Sequence, residues 1–214
     1  ITEAGYEAYA VGGCIRDSLL GRKPNDWDIT TSASPYEIKE LFRRTVDTGI
    51  QHGTVTVMMD KEGFEVTTYR IDGDYKDGRH PSEVTFTASL KEDLRRRDFT
   101  INAMAYNEQN GLVDIFGGMQ DIADGVIRCV GEPRERFSED ALRIMRAVRF
   151  SAQLGYQIEE KTKAAIEELA LALKKISAER IQVELVKLVT SKHPEELLTA
   201  YETGITSVIL PEFD

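Results

Sequence analysis

One stretch, GGCIRDSLLGRKPNDWD from Gly12 to Asp28, constrains the fold more than any other part of the chain. A short apolar run at residues 9–11 leads into the glycine pair Gly12 and Gly13, and a helix-like segment follows it. Further glycine, proline and asparagine residues end that helix, and Asp26 and Asp28 then stand at the start of a β-branched run. This order predicts strand, glycine turn, helix, loop and strand.

The residue types in this stretch suit a phosphate and a divalent cation. Glycines let the backbone approach a ligand closely, and unpaired N–H groups at a helix N-terminus attract phosphate. Alternate side chains of a strand point to one side, so we expect Asp26 and Asp28 to face the same direction. Two such carboxylates repel each other unless a cation lies between them, and oxygen ligands suit Mg²⁺. Either pair alone is usually a turn or two solvated acids, but together, with Arg16 and Asp17 in the helix, they predict metal-assisted nucleotidyl transfer.

The composition is that of an ordinary globular protein. The chain has 214 residues, of which 41% are hydrophobic and 30% charged, enough for one large or two small domains. Its net charge of −10 argues against binding nucleic acid over the whole surface and leaves only local basic patches, at residues 95–97 and at Arg143, Arg146 and Arg149. No apolar run approaches the roughly 20 residues that a membrane span needs, so we expect no membrane partner.

Cysteine and histidine usage argues against several classes of site. Cys14 and Cys129 lie far apart and form no CxxC pair, which favours reduced thiols in a cytoplasmic protein. The three histidines have no ligand spacing, so the sequence predicts neither a zinc site nor a Ser-His-Asp nucleophile. The N-terminal residues show no signal peptide, and nothing in the sequence indicates the oligomeric state.

The first part of the chain, residues 1–131, predicts an α/β head. Two β-branched runs separated by a short polar turn predict an antiparallel hairpin, and Glu65 in its second strand is a candidate third carboxylate. A solvent-facing acid would be the ordinary interpretation of Glu65 without the aspartate pair. The predicted elements are a helix at 35–44, strands at 53–59 and 64–70, a polar loop at 72–82, a helix at 98–106, a strand at 111–116, and a turn, helix and strand at 117–131.

From Glu132 onwards the pattern is helical, so residues 132–214 predict a second, α-helical region. A helix is expected from Phe137 to Leu154, with Ser138 as its N-cap and Gly155 as its end. Further helices are predicted at residues 159–175, 178–191 and 194–203. The fold class is therefore α+β, with a mixed or antiparallel sheet and flanking helices followed by an all-helical region.

Asp140 and Arg143 form a candidate base-reading pair. They are three residues apart on the predicted helix and so share a face. A carboxylate accepts hydrogen bonds and a guanidinium donates them, which matches the amino group and ring nitrogen of cytosine and adenine and mismatches uracil and guanine. The alternative is an ordinary salt bridge within the helix, which contributes little.

Taken together, these residues resemble the class II tRNA nucleotidyltransferases, the CCA-adding enzymes, over most of the chain. The resemblance lies in GGCIRD with DWD, DGDYKDGR, RRRDFTINAMA, EDALRIMRAVRF and ERIQVELVKLV. It implies a polymerase β-like nucleotidyltransferase head, a helical neck and the start of a body, with the tail of the family absent from this chain. The implied reaction adds C, C and A to the 3′ end of tRNA from CTP and ATP.

The resemblance also implies a role for each matching residue. Asp26 and Asp28 would ligate Mg²⁺, with Glu65 as a nearby catalytic carboxylate, and Asp77, Gly78 and Arg79 would belong to a flexible loop needed for the final A. Glu179 and Arg180 would brace the head and neck. The residues implied to bind the nucleotide are Gly12, Gly13, Arg16, Arg97, Asp98, Asn102, Asp140, Arg143, Arg146 and Arg149.

The sequence is also compatible with several related functions. Bacterial poly(A) polymerases share the first, third and fourth of these motifs, but TGIQHGTV at residues 48–55 resembles the CCA-adding version. An A-adding enzyme is a further alternative. A nucleotide-binding module without catalysis would be expected to lack one carboxylate, and a small-molecule nucleotidyltransferase would not need the Asp140 and Arg143 helix.

Overall fold

The computed structural model describes residues 1–73 and 84–213. The predicted loop residues Asp77, Gly78 and Arg79 lie outside these ranges. The described residues divide into two compact units, an N-terminal unit of residues 1–73 and 84–119 and a C-terminal unit of residues 120–213. The functional boundary expected after residue 131 stays a prediction.

A seven-stranded mixed sheet forms the centre of the N-terminal unit. Strands β2 and β5 pair in parallel, and the other neighbours in the sheet pair antiparallel, which confirms the mixed α+β prediction. The strand order is β3-β4-β5-β2-β1-β8-β9, while β6 and β7 form a separate ribbon. The strands are β1 Ala8–Val11, β2 Asp28–Thr31, β3 Thr45–Gly49, β4 Thr54–Met59, β5 Glu62–Thr68, β6 Arg70–Asp72, β7 Val84–Phe86, β8 Met104–Asn107 and β9 Gly111–Asp114.

Helices pack on the apolar side chains that alternate along the strands. Val55, Val57 and Val66 point into one core cluster, where Ile38 of the second helix packs against them. That helix starts as predicted, with Ser34 and Glu37 forming a reciprocal capping box. The helices that lie in or begin in this unit are α1 Gly13–Leu19, α2 Pro35–Leu41, α3 Leu90–Arg95 and α4 Gly118–Asp124, with a 3₁₀ turn at Thr100–Asn102.

The predicted hairpin is confirmed, whereas the predicted helix at 98–106 is wrong. Strands β4 and β5 pair antiparallel from Thr54 opposite Thr67 to Met59 opposite Glu62. Residues 98–106 instead form the short 3₁₀ turn and then β8, which lies between β1 and β9. So short a run has too few residues for a clear periodicity, so its strand partners decide its conformation.

The C-terminal unit is largely helical, as predicted, but its first predicted helix is two. Asp140 is extended (φ −138°, ψ 103°) between them, and its Oδ1 accepts the backbone N–H of Leu142 at 3.0 Å. Ser138 consequently lies inside the first of these helices and is not an N-cap. Such local bonds from aspartate to the backbone compete with helix continuation. The elements are α5 Pro133–Glu139, α6 Leu142–Leu154, α7 Glu160–Leu169, α8 Ala178–Val189, α9 Leu197–Glu202 and α10 Thr206–Ile209, with β10 Val126–Ile127 parallel to β11 Gln157–Ile158.

Two further features of this unit are the end of α6 and an ion pair between α6 and α8. Gly155 ends α6 in the left-handed conformation (φ 71°), as predicted. Arg149 on α6 forms a buried ion pair with Glu184 on α8, with its Nε 2.8 Å from Oε2. Within the described residues, no helix is long and apolar enough to cross a membrane.

Candidate active site

The glycine turn after β1 requires glycine for two separate reasons. Gly12 has a φ of 82°, a conformation that residues with a Cβ rarely adopt. A Cβ at this position would also lie 3.0 Å from Nη1 of Arg97. The backbone of Gly12 and the side chain of Arg97 therefore approach each other closely where α1 begins, and the absence of a Cβ keeps this space open.

Three of the predicted nucleotide-binding residues form one hydrogen-bonded chain. Arg16, buried on α1, donates from Nη1 to Oδ1 of Asn102 at 2.6 Å. Asn102 donates in turn to Oδ1 of Asp98 at 3.1 Å. The Arg16 Nε also donates to Asp17 at 3.0 Å. The structure thus brings Arg16, which is more than 80 positions away in sequence, to Asp98 and Asn102 beside the glycine turn.

The carboxylates lie where the central strand β2 begins. Asp28 is the first residue of β2 and lies directly opposite Glu65 of the parallel strand β5. Asp26 precedes the strand, so the expectation that both aspartates share it is wrong, although their charges still interact. Loss of surrounding water and the negative charges of Asp26 and Glu65 raise the pKa of Asp28, while the charge of Arg97 opposes that rise.

This arrangement fits a divalent cation held jointly with a substrate. Residues 1–73 and 84–213 contain no cluster of three or more His, Cys, Asp or Glu side chains arranged to hold a metal ion by themselves. Mg²⁺, however, is usually bound by one or two carboxylates together with water and substrate phosphates. The crowding that raises the pKa of Asp28 is the electrostatic condition that a cation would relieve.

Asp93, which the sequence pattern did not single out, is a fully buried carboxylate that supports this site. Its Oδ1 accepts from Nε and Nη2 of Arg96 at 3.0 and 2.9 Å, and its Oδ2 accepts from the Thr30 hydroxyl at 3.0 Å and lies 3.5 Å from Nη2 of Arg97. The backbone N–H of Arg70 donates to Oδ1 as well, at 3.3 Å. Asp93 thereby ties β2, which carries Asp28, to Arg97. Its i+3 and i+4 spacing from the two arginines was a detectable signal.

Arg97 lies close enough to Asp28, Asp93 and Asp98 to interact with all three charges. Burial lowers the pKa of its guanidinium, and the charges of Asp93, Asp28 and Asp98 act against that shift. Its Nε is buried and lacks a hydrogen-bond partner among the described residues. Buried donors are normally paired, so an orphaned donor beside the glycine turn is consistent with a ligand that would complete it.

The predicted base-reading residues are held in place within the C-terminal unit. Oδ2 of Asp140 lies 2.9 Å from Nη2 of Arg180, and Arg143 donates from Nη1 to Glu139 at 2.6 Å and to the carbonyl of Arg136 at 3.1 Å. Because Asp140 precedes α6, the two residues do not share one helix face, and that premise is wrong. Their role in choosing the base stays a prediction.

The two remaining arginines of α6 stack on a neighbouring aromatic ring. The guanidinium carbons of Arg146 and Arg149 lie 5.3 and 3.5 Å from the ring centre of Phe150. Arg149 is additionally engaged with Glu184, as described above. Its surroundings are those of a structural residue, and a contact with nucleotide stays a prediction.

The fold and the site define a nucleotidyltransferase head followed by a helical region. The model of the poly(A) polymerase head domain matches residues 8–128, and the model described as the probable RNA and SrmB-binding site of polymerase A matches residues 155–214. The chain belongs to the poly(A) polymerase head family, the class II nucleotidyltransferases.

Within this family, the chain is similar to curated relatives and solved structures that are CCA-adding enzymes. The chain is 55% identical over 213 residues to the CCA-adding enzyme of Levilactobacillus brevis, covering 100% of this chain and 54% of the relative, and 56% identical over 188 residues to that of Enterococcus faecalis, covering 88% and 46%. The crystal structure of the Bacillus stearothermophilus CCA-adding enzyme in complex with CTP is 45% identical, with a TM-score of 0.87 over 95% of this chain and 50% of that one. A Thermotoga maritima CCA-adding enzyme complexed with tRNA is 29% identical, with a TM-score of 0.80 over 99% of this chain and 50% of that one. The chain spans about half the length of the relatives it matches.

Proposed function

We propose that this chain carries the catalytic part of an enzyme that adds C, C and A to the 3′ end of tRNA without a nucleic-acid template. The substrates are CTP and ATP, and pyrophosphate is released. The observation that carries the proposal is the grouping of Asp28 with Glu65, Asp26 and Arg97 at the start of the central strand β2, next to the glycine turn. It is supported by relatives 50–56% identical that are CCA-adding enzymes, and by solved relatives with CTP or tRNA bound.

In this reaction the 3′ oxygen of the RNA forms a bond to the α-phosphorus, and the bond from that phosphorus to pyrophosphate breaks. Asp26 and Asp28 would hold Mg²⁺, which when bound activates the attacking hydroxyl and stabilises the leaving oxygen. Arg16 and Arg97 supply positive charge to the triphosphate, where preorganised donors act on the charge that develops. Gly12 leaves the space in which the phosphates approach the backbone.

Sugar and base would be selected by different groups. Asp98 and Asn102 are already oriented by the bond between them and would accept and donate to the ribose 2′-hydroxyl. Asp140 would accept from the exocyclic amino group of C or A while Arg143 donates to the adjacent ring nitrogen, with Arg146 supporting the pocket. A site built to hydrogen-bond its substrate rejects analogues that leave its groups unpaired.

Alternative activities of the same family give different products. A poly(A) polymerase or an A-adding enzyme would use ATP alone, and a module that only binds nucleotide or RNA would use neither nucleotide. The high identity to CCA-adding enzymes and the intact set of Asp26, Asp28 and Glu65 favour the full reaction. We place it in the cytoplasm, in keeping with two buried cysteines, Cys14 and Cys129, that form no disulfide.

The deciding experiment supplies tRNA lacking its 3′ CCA with each labelled nucleoside triphosphate separately and then with CTP and ATP together. Incorporation of two C residues followed by one A supports the proposal. Incorporation of A alone, once or repeatedly, identifies one of the alternative activities, and no incorporation by folded protein refutes catalysis. Asp28→Asn, which preserves the shape of the side chain, is the matched inactive control.

A further inference from the structure

The register of the sheet extends the carboxylate site along a solvent-facing row. Asp28 lies opposite Glu65, Glu65 opposite Thr56, and Thr56 opposite Val46 on the edge strand β3. Directly paired residues project to the same face of a sheet, so these four side chains form one row across β2, β5, β4 and β3. The residues next to Thr56 and Glu65 along their strands, Val55, Val57 and Val66, point to the opposite, buried face. The row is open to solvent, since Asp28, Glu65 and Val46 are all exposed.

A pocket with two arginines lies beside β3 and β4, beyond the end of this row. It has a volume of about 650 Å³ and is lined by Phe42, Arg43, Arg44, Met58 and Asp60. Such a volume is within the range of pockets that hold small ligands. The Arg44 carbonyl accepts the N–H of Met58, which continues the β3–β4 ladder beyond the row. We call this pocket the arginine pocket.

The two arginines of the pocket are available for an anion. Both are exposed, and within residues 1–73 and 84–213 neither side chain makes a hydrogen bond or ion pair. The neighbouring carboxylate Asp47 is already bound through both oxygens to Lys39, at 2.8 and 2.9 Å. Asp60 is the acidic residue of the pocket, so the lining carries a net positive charge in a chain whose overall charge is −10.

The topology separates this pocket from the groups that serve the triphosphate. In the strand order, β1 and its glycine turn lie on one side of β2, while β5, β4 and β3 lie on the other. Gly12 and Arg16 therefore flank Asp28 on the β1 side, and the arginine pocket lies beyond Glu65 on the β3 side. In phosphoryl transfer the attacking and leaving oxygens are roughly in line, on opposite sides of the reacting phosphorus. With pyrophosphate leaving towards β1, the attacking strand approaches from the side of β3.

The spacing suits the backbone of a strand whose end reaches the carboxylates. Arg44 is two strands away from Glu65 and two residues further along, a separation of about 12 Å from the usual strand spacing and rise. Thr56 lies between them and bonds the Thr48 hydroxyl at 2.9 Å, so the intervening surface is polar. We propose that Arg43 and Arg44 bind the phosphate backbone of the RNA strand just upstream of its 3′ end. This inference rests on the proposed function and assigns it a substrate-binding surface.

The test compares the binding of tRNA lacking its CCA end to four proteins over a series of salt concentrations. These are the unaltered chain, the double variant Arg43→Gln with Arg44→Gln, the charge-preserving variant Arg43→Lys with Arg44→Lys, and Lys91→Gln. Lys91 is exposed on α3, outside the pocket, and controls for the loss of one positive charge. Incorporation of CTP is measured in parallel, so that the KM for RNA and the KM for CTP are obtained separately.

For the double glutamine variant we expect RNA binding to weaken roughly ten-fold at low salt, since each exposed interaction is modest. The slope of log K against log salt should fall by about 0.7 for each phosphate of a single strand that the variant no longer neutralises. The KM for CTP and kcat should stay unchanged, and the lysine variant should retain most of the slope. A KM change for CTP instead of RNA would assign the pocket to the nucleotide and overturn the inference, as would unchanged RNA affinity and slope. Failure of the unaltered chain to incorporate any nucleotide would refute the proposed function instead, which is a distinguishable result.

Discussion

Replacing Asp93 by alanine is expected to destabilise the protein more than any surface ion-pair substitution. Asp93 is fully buried and accepts hydrogen bonds from Thr30, Arg70 and Arg96, with Arg97 at 3.5 Å. Alanine would leave these donors without their acceptor and would remove the carboxylate that Arg96 and Arg97 share, although Asp72 still lies 3.6 Å from Nη1 of Arg96. Both consequences arise from the tertiary contacts around α3 and β2.

The expected loss follows from the burial of the pair. Removing one partner of a buried ion pair costs about 3–5 kcal/mol, because the remaining charge stays desolvated and uncompensated. An exposed pair contributes about 0–1 kcal/mol. The pair between Lys39 and Asp47 is of the second kind, since both side chains are more than a third exposed. Asp47→Ala is therefore the matched control, in which a carboxylate is removed from an ion pair without opening the core.

The measurement is urea-induced unfolding followed by circular dichroism, with the free energy of unfolding extrapolated to water. Asp93→Ala should lower it by several kcal/mol and Asp47→Ala by less than about 1 kcal/mol. Equal, small losses for both variants would show that Asp93 is not the support that its contacts indicate.

The same residue predicts an acid-dependent loss of stability. Burial by itself would raise the pKa of Asp93, but Arg96, Arg97 and the hydrogen bonds it accepts hold that pKa below its ordinary value of 3.8. A group with a depressed folded pKa contributes stability above its unfolded pKa, and this contribution is lost as the pH falls through the folded pKa. Stability of the unaltered chain should thus decrease below about pH 4, and Asp93→Asn should lack this part of the dependence.

Three further outcomes are expected. Asp28→Ala should abolish incorporation while leaving the urea midpoint unchanged or raised, because it removes a crowded carboxylate whose pKa is raised; normal incorporation would contradict the catalytic assignment. Gly12→Ala should raise the KM for CTP at least ten-fold and cost about 1 kcal/mol of stability, because a φ of 82° strains a residue with a Cβ and that Cβ would crowd Nη1 of Arg97 at 3.0 Å; unaltered kinetics would show that the turn tolerates one. Asp140→Ala should reduce the ratio of CTP to UTP incorporation about ten-fold or more, since a base-edge contact of this kind contributes about 1–3 kcal/mol of discrimination. An unchanged ratio would leave Asp140 with only its bonds to Arg180 and Leu142.

The family and the fold class could be predicted from the sequence because their signals are local. The glycine pair, the acidic pair and the RRRDFTINAMA stretch each hold their residues within a few positions of one another. Helix ends such as the start of α2 and the Gly155 terminus are also set by neighbouring residues, and both were correctly placed. Local hydrogen bonding and backbone preference decide these features, so a linear pattern is enough.

Other features were decided by partners far apart in the chain. Residues 104–107 are a strand because β1 and β9 pair with them, although their own pattern suggested a helix. Asp140 leaves the helix, accepts the N–H of Leu142 and binds Arg180, forty positions further along. The importance of Asp93 depends on folding, which places Thr30 and Arg70 against it. Within an exposed helix its ion pair would contribute little, whereas the loss of one partner from a buried pair is strongly destabilising.

The sequence by itself determined which chemical groups this protein possesses, namely the carboxylates, the arginines and the glycine turn between a strand and a helix. Only the tertiary structure decided on which side of Asp28 each group lies, because that depends on the order in which strands pair. Strand order is set by the burial of a shared apolar face and by hydrogen bonds between distant segments, neither of which is written in any single stretch of residues. It places the proposed triphosphate-binding groups beside β1 and the arginine pocket beside β3, with the carboxylates between them.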